Sequence, residues 1–321
     1  PSTSALAAAQ SVSGEATPFL RNGSNTATQA TSKSKLEALP IYVPAMTSGD
    51  IAVVGAPAVH PMVMTYTDTS YVDPATGQAA DDVWAAVSRD DGATWKRINI
   101  SRSAEKSSIK VNTVDYFGDV RKPSLKVEDN LMLVTWSSKY CPTADPSNIG
   151  TNLDPFLVKG PQGVVDYDAE YKRPDLGVVP FSCLWVARGM IEATTGTITW
   201  FAPEQVSSGR RDALQDFPFS AKGAGFSVVW QEDPVGLNPG QAKGPGEGMT
   251  GATGNKQTDI WYSRITKAQF SAIDAAVSPV DGKPKPLYPL SAPVRVTDNA
   301  ACKVEGGVIK GLPICEQQPA T

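Results

Sequence analysis

The sequence predicts an all-β fold in which short antiparallel sheets repeat as the blades of a β-propeller, with about three four-stranded blades recognisable. Three observations carry this. The 321 residues include 27 glycines and 26 prolines, so turns are many and long helices few. A unit of four short strands recurs along the chain. All seven tryptophans fall on those strands, where core packing is their ordinary use.

Each strand can be followed from repeat to repeat. The first is opened by proline: Val59-His60-Pro61-Met62-Val63-Met64, then Arg121-Lys122-Pro123-Ser124-Leu125, then Asp216-Phe217-Pro218-Phe219-Ser220. The second ends in tryptophan in repeats two and three, at Leu131-Met132-Leu133-Val134-Thr135-Trp136 and Phe226-Ser227-Val228-Val229-Trp230. In repeat one, residues 62–66 serve both strands, or the inner strand lies upstream at 51–54. The third strand places tryptophan after an apolar residue, at Asp82-Val83-Trp84, Cys183-Leu184-Trp185 and Asp259-Ile260-Trp261. The fourth closes each unit at residues 94–98, 197–201 and 293–297. Period-two patterning between turn residues reads as antiparallel sheet, and four strands per repeat read as blades rather than a sandwich. Helical periodicity is visible only over residues 265–277.

One stretch is more specific than the rest. Ser88-Arg89-Asp90-Asp91-Gly92-Ala93-Thr94-Trp95 reads Ser-x-Asp-x-Gly-x-Thr-Trp. Asp90 can fold its carboxylate onto the turn backbone, Gly92 supplies a φ other residues resist, and Trp95 caps the returning strand. Ser88 and Thr94 complete the structural set. The stretch resembles the Asp-box, or bacterial neuraminidase repeat, of sialidase-like β-propellers. With the repeat, it makes residues 50–300 similar to exported bacterial sialidase-like repeat proteins. The resemblance implies that the box sits on the blade periphery, away from any active site. Repeat two has Ala193-Thr194-Thr195-Gly196 in its place, and repeat three a long Ala/Pro-rich insertion over 267–291.

Three blades do not close a circle, since propellers typically have four to eight. The expected partner is therefore another protein chain, a second copy, or the remainder of a longer protein. Open flanks would expose sheet faces and edges that favour association. The chain opens on Pro1 without an initiator Met, which points to a removed leader or a piece of a longer protein. Residues 1–40, rich in Ser, Thr and Ala, read as a linker or wrapping segment, 41–300 as blades, and 301–321 as a C-terminal disulfide-containing extension.

Four cysteines without a Cys-x-x-Cys or Cys/His cluster suit two disulfides and a secreted, periplasmic or cell-surface protein. Cys141 and Cys183 flank one long loop and are expected to bond; Cys302 and Cys315 pair across a Gly-rich segment. Asn22-Gly23-Ser24 and Asn99-Ile100-Ser101 are formal glycosylation sequons. A net charge of -4 argues against nucleic acid, and no run of eighteen apolar residues spans a membrane. His60 is the lone histidine, and nothing near it resembles a nucleophile elbow, so a Ser-His-Asp triad is set aside.

The strand 2 to strand 3 connections over 68–81, 137–182 and 231–258 all look long and share one rim. Long loops on one rim mark it as the working face. The sialidase resemblance implies three arginines gripping a carboxylate, one from an Arg-x-Pro strand. Arg121 fits that pattern, but Val59 and Asp216 hold the matching positions elsewhere. Arg210 and Arg211 could reach the rim. Asp145, Asn148, Asn152 and Asp154 offer hard oxygen ligands that calcium would suit, although no EF-hand spacing is present, and turn-forming roles compete. Asp233 joins them as a candidate binding residue. His60, Met62 and Met64 form an alternating row that could suit copper, against ordinary core packing of the methionines. No cofactor is otherwise indicated. The reading is a non-catalytic, exported propeller that binds a protein or glycan through its long-loop rim. The alternatives are a sialidase-type glycoside hydrolase completed by residues outside this chain and a structural subunit of a surface assembly.

Overall fold

A computed structural model of the chain describes residues 61–142, 161–237 and 258–297, together with the backbone of 35–38. In the first sheet β1 (Lys35–Ala38), β2 (Met62–Val72), β3 (Ala79–Ser88) and β4 (Lys96–Asn99) pair antiparallel in chain order. Its first strand comes from within residues 1–40; residues 51–54 lie outside the described residues. The connection expected as a long loop over 68–81 is instead mostly ladder. Thr69 pairs with Asp81 and, past an irregularity, Tyr71 pairs with Ala80 and Val72 with Ala79. Only 73–78 turn, because the Asp73 carboxylate accepts from the Ala75 N–H at 3.0 Å and the Thr76 hydroxyl at 2.5 Å.

A hairpin of β5 (Ser107–Val111) and β6 (Val114–Phe117) leads to the second sheet. That sheet begins with β7 (Val120–Glu128) and β8 (Leu131–Ser138). The chain then builds β9 (Val164–Asp166), the short helix α1 (Tyr167–Tyr171) and β10 (Val178–Pro180) before returning as β11 (Cys183–Ile191). β12 (Ile198–Trp200) and β13 (Glu204–Gln205) both pair with β11. The third sheet is β14 (Asp212–Ala221), β15 (Gly225–Asp233), β16 (Asp259–Thr266) and β17 (Val294–Arg295), with helix α2 (Lys267–Phe270) after β16.

One latch recurs in all three sheets. Trp84, Trp185 and Trp261 pair with Asn99, Gln205 and Arg295. The next residues, Ile100, Val206 and Val296, donate their N–H to the carbonyls of Val83, Leu184 and Ile260 at 2.8, 2.7 and 2.7 Å. The hydroxyls that follow, on Ser101, Ser207 and Thr297, accept the N–H of the same three residues at 2.9, 2.8 and 2.9 Å. The expected fourth strand of repeat two at 197–201 is therefore only half of it. Pro203 cannot donate to a ladder, so the strand breaks, and β13 completes the repeat.

Consecutive sheets pack face to face. Val63, Val83, Ala85 and Ile100 of the first sheet meet Leu125, Val134, Trp136 and Ala187 of the second. Leu133, Leu184, Val186 and Val206, from the other face of the second, meet Phe226, Val228, Trp230 and Ile265 of the third. Alternating residues of the middle sheet thus serve two cores, the stacking expected of blades in a propeller arc.

At the turn from β3 to β4 the Asp90 carboxylate accepts from the Thr94 N–H at 2.8 Å, the Thr94 hydroxyl at 2.6 Å and the Ser88 hydroxyl at 2.8 Å. The Ser88 hydroxyl accepts from the Gly92 N–H at 2.8 Å, Gly92 has φ 87°, and the Trp95 indole donates to the Gly92 carbonyl. In the second sheet Glu192 does the work of Asp90. Its carboxylate accepts from the Thr194 and Thr195 N–H groups at 3.0 and 2.6 Å, which holds its pKa down at about 2.

Residues 267–291 run as a strap across the second sheet to the first. The Lys283 ammonium donates to the carbonyls of Asn99 and Ile100 at 2.7 and 2.9 Å, and Arg102 pairs with Asp281 at 2.7 Å. The fully buried Arg188 meets the strap at the Phe270 and Tyr288 carbonyls and pairs with Glu204 at 2.8 Å.

Two outcomes follow. The Thr94 and Ser88 bonds hold the Asp90 carboxyl below the usual carboxylate range. Stability from this group is therefore present at neutral pH and is lost as the pH falls below about 4. Asp90→Ala should lower the thermal midpoint at pH 7 and reduce its sensitivity to acid, measured by circular dichroism melts from pH 7 to 3. Burial lowers the Lys283 pKa to about 8, so the unfolded chain binds the proton more readily above that pH. Wild type should gain on the order of 1 kcal/mol between pH 8 and 10 that Lys283→Met does not gain, read from urea denaturation of both.

Candidate functional site

The strand ends that carry 2-to-3 connections share a rim, and among the described residues this rim holds the buried acids Asp82, Asp119, Asp212, Glu232, Asp233 and Asp259. At the start of β7, Arg121 lies between two carboxylates. Its guanidinium reaches Asp81 at 2.9 Å and Asp119 at 2.6 Å. Asp119 is 4% exposed, and burial pushes its pKa up to about 6 against the pull of Arg121. Asp81 in turn takes the Thr69 hydroxyl at 2.8 Å, and Asp119 accepts the Asp81 N–H at 3.1 Å. This arrangement compensates the guanidinium from within the protein.

The described parts of the connection from β8 to β11, residues 139–142 and 161–182, are anchored to the sheet. Cys141 and Cys183 are disulfide-bonded across its base. The buried Lys139 ammonium donates to the Pro180 carbonyl at 2.7 Å, and the Gln162 amide donates to the Lys139 and Phe181 carbonyls at 2.8 and 2.7 Å. Val165, Tyr167, Leu176, Val179 and Phe181 form a small core of their own with Tyr116. Asp212, fully buried at the start of β14, accepts the N–H groups of Ser182 and Leu237 at 2.8 and 3.1 Å. Burial raises the Asp212 pKa and lowers that of Lys139, while the attraction between the two opposes both shifts.

The other acids at this rim have comparable duties. Asp82 accepts the Ser101 hydroxyl and the N–H groups of Ser103 and Ala104 at 2.6, 2.7 and 3.1 Å. Asp259 is paired with Arg295 and lies 3.6 Å from Arg211, whose guanidinium carbon lies over the Trp261 ring at 5.6 Å. Glu232 accepts the Trp230 indole N–H at 2.9 Å, and burial pushes its pKa up to about 7. Asp233 is buried, and its carboxylate takes the Val235 N–H and the Thr258 hydroxyl at 2.9 and 2.7 Å. These bonds begin the 231–258 connection.

Arg210 is exposed on the approach to β14, while Arg211 is drawn to Asp259. Asp145, Asn148, Asn152, Asp154, His60, Cys302 and Cys315 lie outside the described residues. Met64 packs with Tyr66 and Ala86, and the Met62 methyl lies 2.8 Å from where a Cβ on Gly92 would stand. Among the described residues, no group of three or more His, Cys, Asp or Glu could hold a metal ion. Asp81, Asp119, Lys139 and Asp212 escaped the sequence reading. For Asp119 a signal existed, since it stands two residues before Arg121, the spacing that shares a strand face. For Lys139 and Asp212, 73 positions apart, none did.

Two aromatic pairs lie beside this charge network. Tyr71 and Phe117 have ring centroids 4.8 Å apart, and Tyr140 and Trp185 stack at 5.9 Å with planes 10° apart. All four rings are half-buried.

No protein-family model matches the chain, and no curated protein matches it. Among solved structures, it is similar to the Trypanosoma rangeli sialidase in complex with the inhibitor DANA, at 14% identity and a TM-score of 0.33. That likeness covers 65% of this chain and 27% of the sialidase. It is also similar to the Penicillium chrysogenum α-L-arabinanase complexed with arabinobiose, at 10% identity and a TM-score of 0.33, covering 77% of this chain and 51% of that one. The chain thus spans about a quarter to a half of the solved chains it matches.

Removing the guanidinium leaves Asp81 facing a buried Asp119. Arg121→Ala should cost about 2 kcal/mol at pH 8, discounted for the partial exposure of the pair. At pH 5, below the raised value of Asp119, that carboxyl carries its proton and the loss should shrink. Denaturant titration of wild type and variant at the two pH values measures both.

Proposed function

We propose that this is an exported, non-catalytic propeller-type protein whose 2-to-3 rim binds a glycan, and that the glycan is neutral. The observation that carries this reading is the engagement of Arg121 by both Asp81 and Asp119. An arginine with two carboxylates on it is poorly placed to grip a third on a sialic acid. Among the described residues the rim also offers apolar ring surface for recognition. The Tyr71 and Phe117 rings offer flat surface at the rim, the kind of platform on which an uncharged sugar ring stacks through its C–H face. The disulfide between Cys141 and Cys183 supports export, since such bonds persist in oxidising compartments. Among the described residues, no helix is long and apolar enough to cross a membrane.

A sialidase-type hydrolase completed by residues outside this chain is the second reading. Asp119 favours it, because a buried carboxyl beside an arginine, its pKa raised to about 6 by burial, is the kind of perturbed acid that catalytic sites use. Two measurements separate the readings. The full chain is applied to an array of neutral and sialylated glycans, and separately to a fluorogenic sialoside. The binding reading expects neutral glycans to be retained, retention to fall at least tenfold with Tyr71→Ala, and no fluorophore release. Release that disappears with Arg121→Ala would replace it with the hydrolase.

A further inference from the structure

We infer that the outer face of the third sheet is a docking surface for a second copy of this chain, open face against open face across a two-fold axis. The argument starts from the repeat. Matching Trp185 to Trp261 and Gln205 to Arg295 sets every other correspondence between the second and third sheets. Leu184, Val186 and Val206 then correspond to Ile260, Tyr262 and Val296. In the second sheet the three are 1%, 0% and 4% exposed, because the third sheet covers them. The same positions of the first sheet, Val83, Ala85 and Ile100, are fully buried by the second. In the third sheet, Ile260 is 36% and Val296 60% exposed, and Tyr262 is half-buried.

The exposed face is continuous. Phe217, Val229, Tyr262 and Val294 are direct partners across all four strands, so their side chains stand in one row. Phe219 lies two residues from Phe217 and Val296 two from Val294, on the same side. Phe217, Phe219 and Val294 are 56%, 50% and 44% exposed. A contiguous apolar patch of this kind marks an interaction site, because folded chains rarely leave one in water.

The other end of the stack selects the occupant. There the outer face of the first sheet is already closed: Met64, Tyr66 and Ala86 are buried, and the Arg97 guanidinium lies over the Trp84 and Tyr66 rings at 4.4 and 5.7 Å. Arg97 is held there by Asp68 at 2.5 Å. The described residues therefore present one open sheet face and one closed one. A head-to-tail ring would need both faces open. A single self-adhesive face satisfies itself by an isologous contact, which uses the same patch twice and stops at two copies. The inference does not rest on the rim reading, because the patch lies on the sheet face and the rim at the strand ends.

The test uses the full chain. Native mass spectrometry and light scattering at micromolar concentration should give twice the 33.9 kDa chain mass. Phe217→Ser and Val296→Lys should each give the single-chain mass with an unchanged circular dichroism spectrum. Tyr262→Cys, at the centre of the face, should be cross-linked to its own copy by a short bis-maleimide, identified as a 262–262 peptide pair. That arm still decides if Val296→Lys does not fold. A monomeric wild type would overturn the inference. So would a dimer without the 262–262 cross-link, or a larger ring.

Discussion

Every residue of β8, from Leu131 to Ser138, is buried, and the rest of the molecule is arranged around that fact. A strand alternates its side chains between two faces, so complete burial requires a layer on each side. Leu125, Met132, Val134 and Trp136 fill the contact with the first sheet, and Leu131 and Leu133 that with the third. Neither flanking sheet could be removed without exposing half of this strand. The latch between the third and fourth strands, the strap over the outer edge and the anchored loop all act on a stack whose middle strand is buried on both faces.

Charge at the rim obeys the same constraint. Acids at strand ends adjoin a dry interior, and each must be satisfied where it stands. Asp82, Asp212 and Asp233 are satisfied by backbone N–H groups, Asp119 and Asp259 by arginines. Carboxylates so committed are architecture, and the rim gains rigidity at the expense of free ionic chemistry. The charge network also fixes how the 139–182 loop departs from the sheet, since Lys139 and Asp212 hold its two ends through the Pro180 carbonyl and the Ser182 N–H.

The second and third four-stranded units were legible in the sequence because their signals are local, whereas in the first the proline-opened strand Met62–Val72 is the second of its sheet and the first strand lies at Lys35–Ala38, in the segment read as a linker. Alternating apolar residues, a proline near the strand start and a tryptophan on the third strand need only a short window. The disulfide was legible because strand pairing brings Cys183 opposite Ser138, three residues from Cys141. The misjudged connection between β2 and β3 shows the limit. Thr67, Asp68, Thr69 and Ser70 look like turn residues, yet Arg97 and Asp81 engage two of them across the strands and keep the ladder closed. The long-range ionic and hydrogen-bonded pairs left no trace. Nothing around Arg121 announces Asp81, and nothing in the 267–291 insertion announces that Lys283 will sit on carbonyls of the first sheet. Such contacts depend on how the sheets stack, which no window of residues contains.

The strap has a consequence for how the chain is made. Lys283 and Ile100 are 183 positions apart, and the bond between them cannot form until the later residue has left the ribosome. At synthesis rates of about 5–20 residues per second, the first sheet waits on the order of ten seconds or more for its outer tie. During that time its fourth strand is an edge, held by β3, by the Asp90 turn and by the Arg97–Asp68 pair. Contacts this distant in sequence also slow the search for the native state.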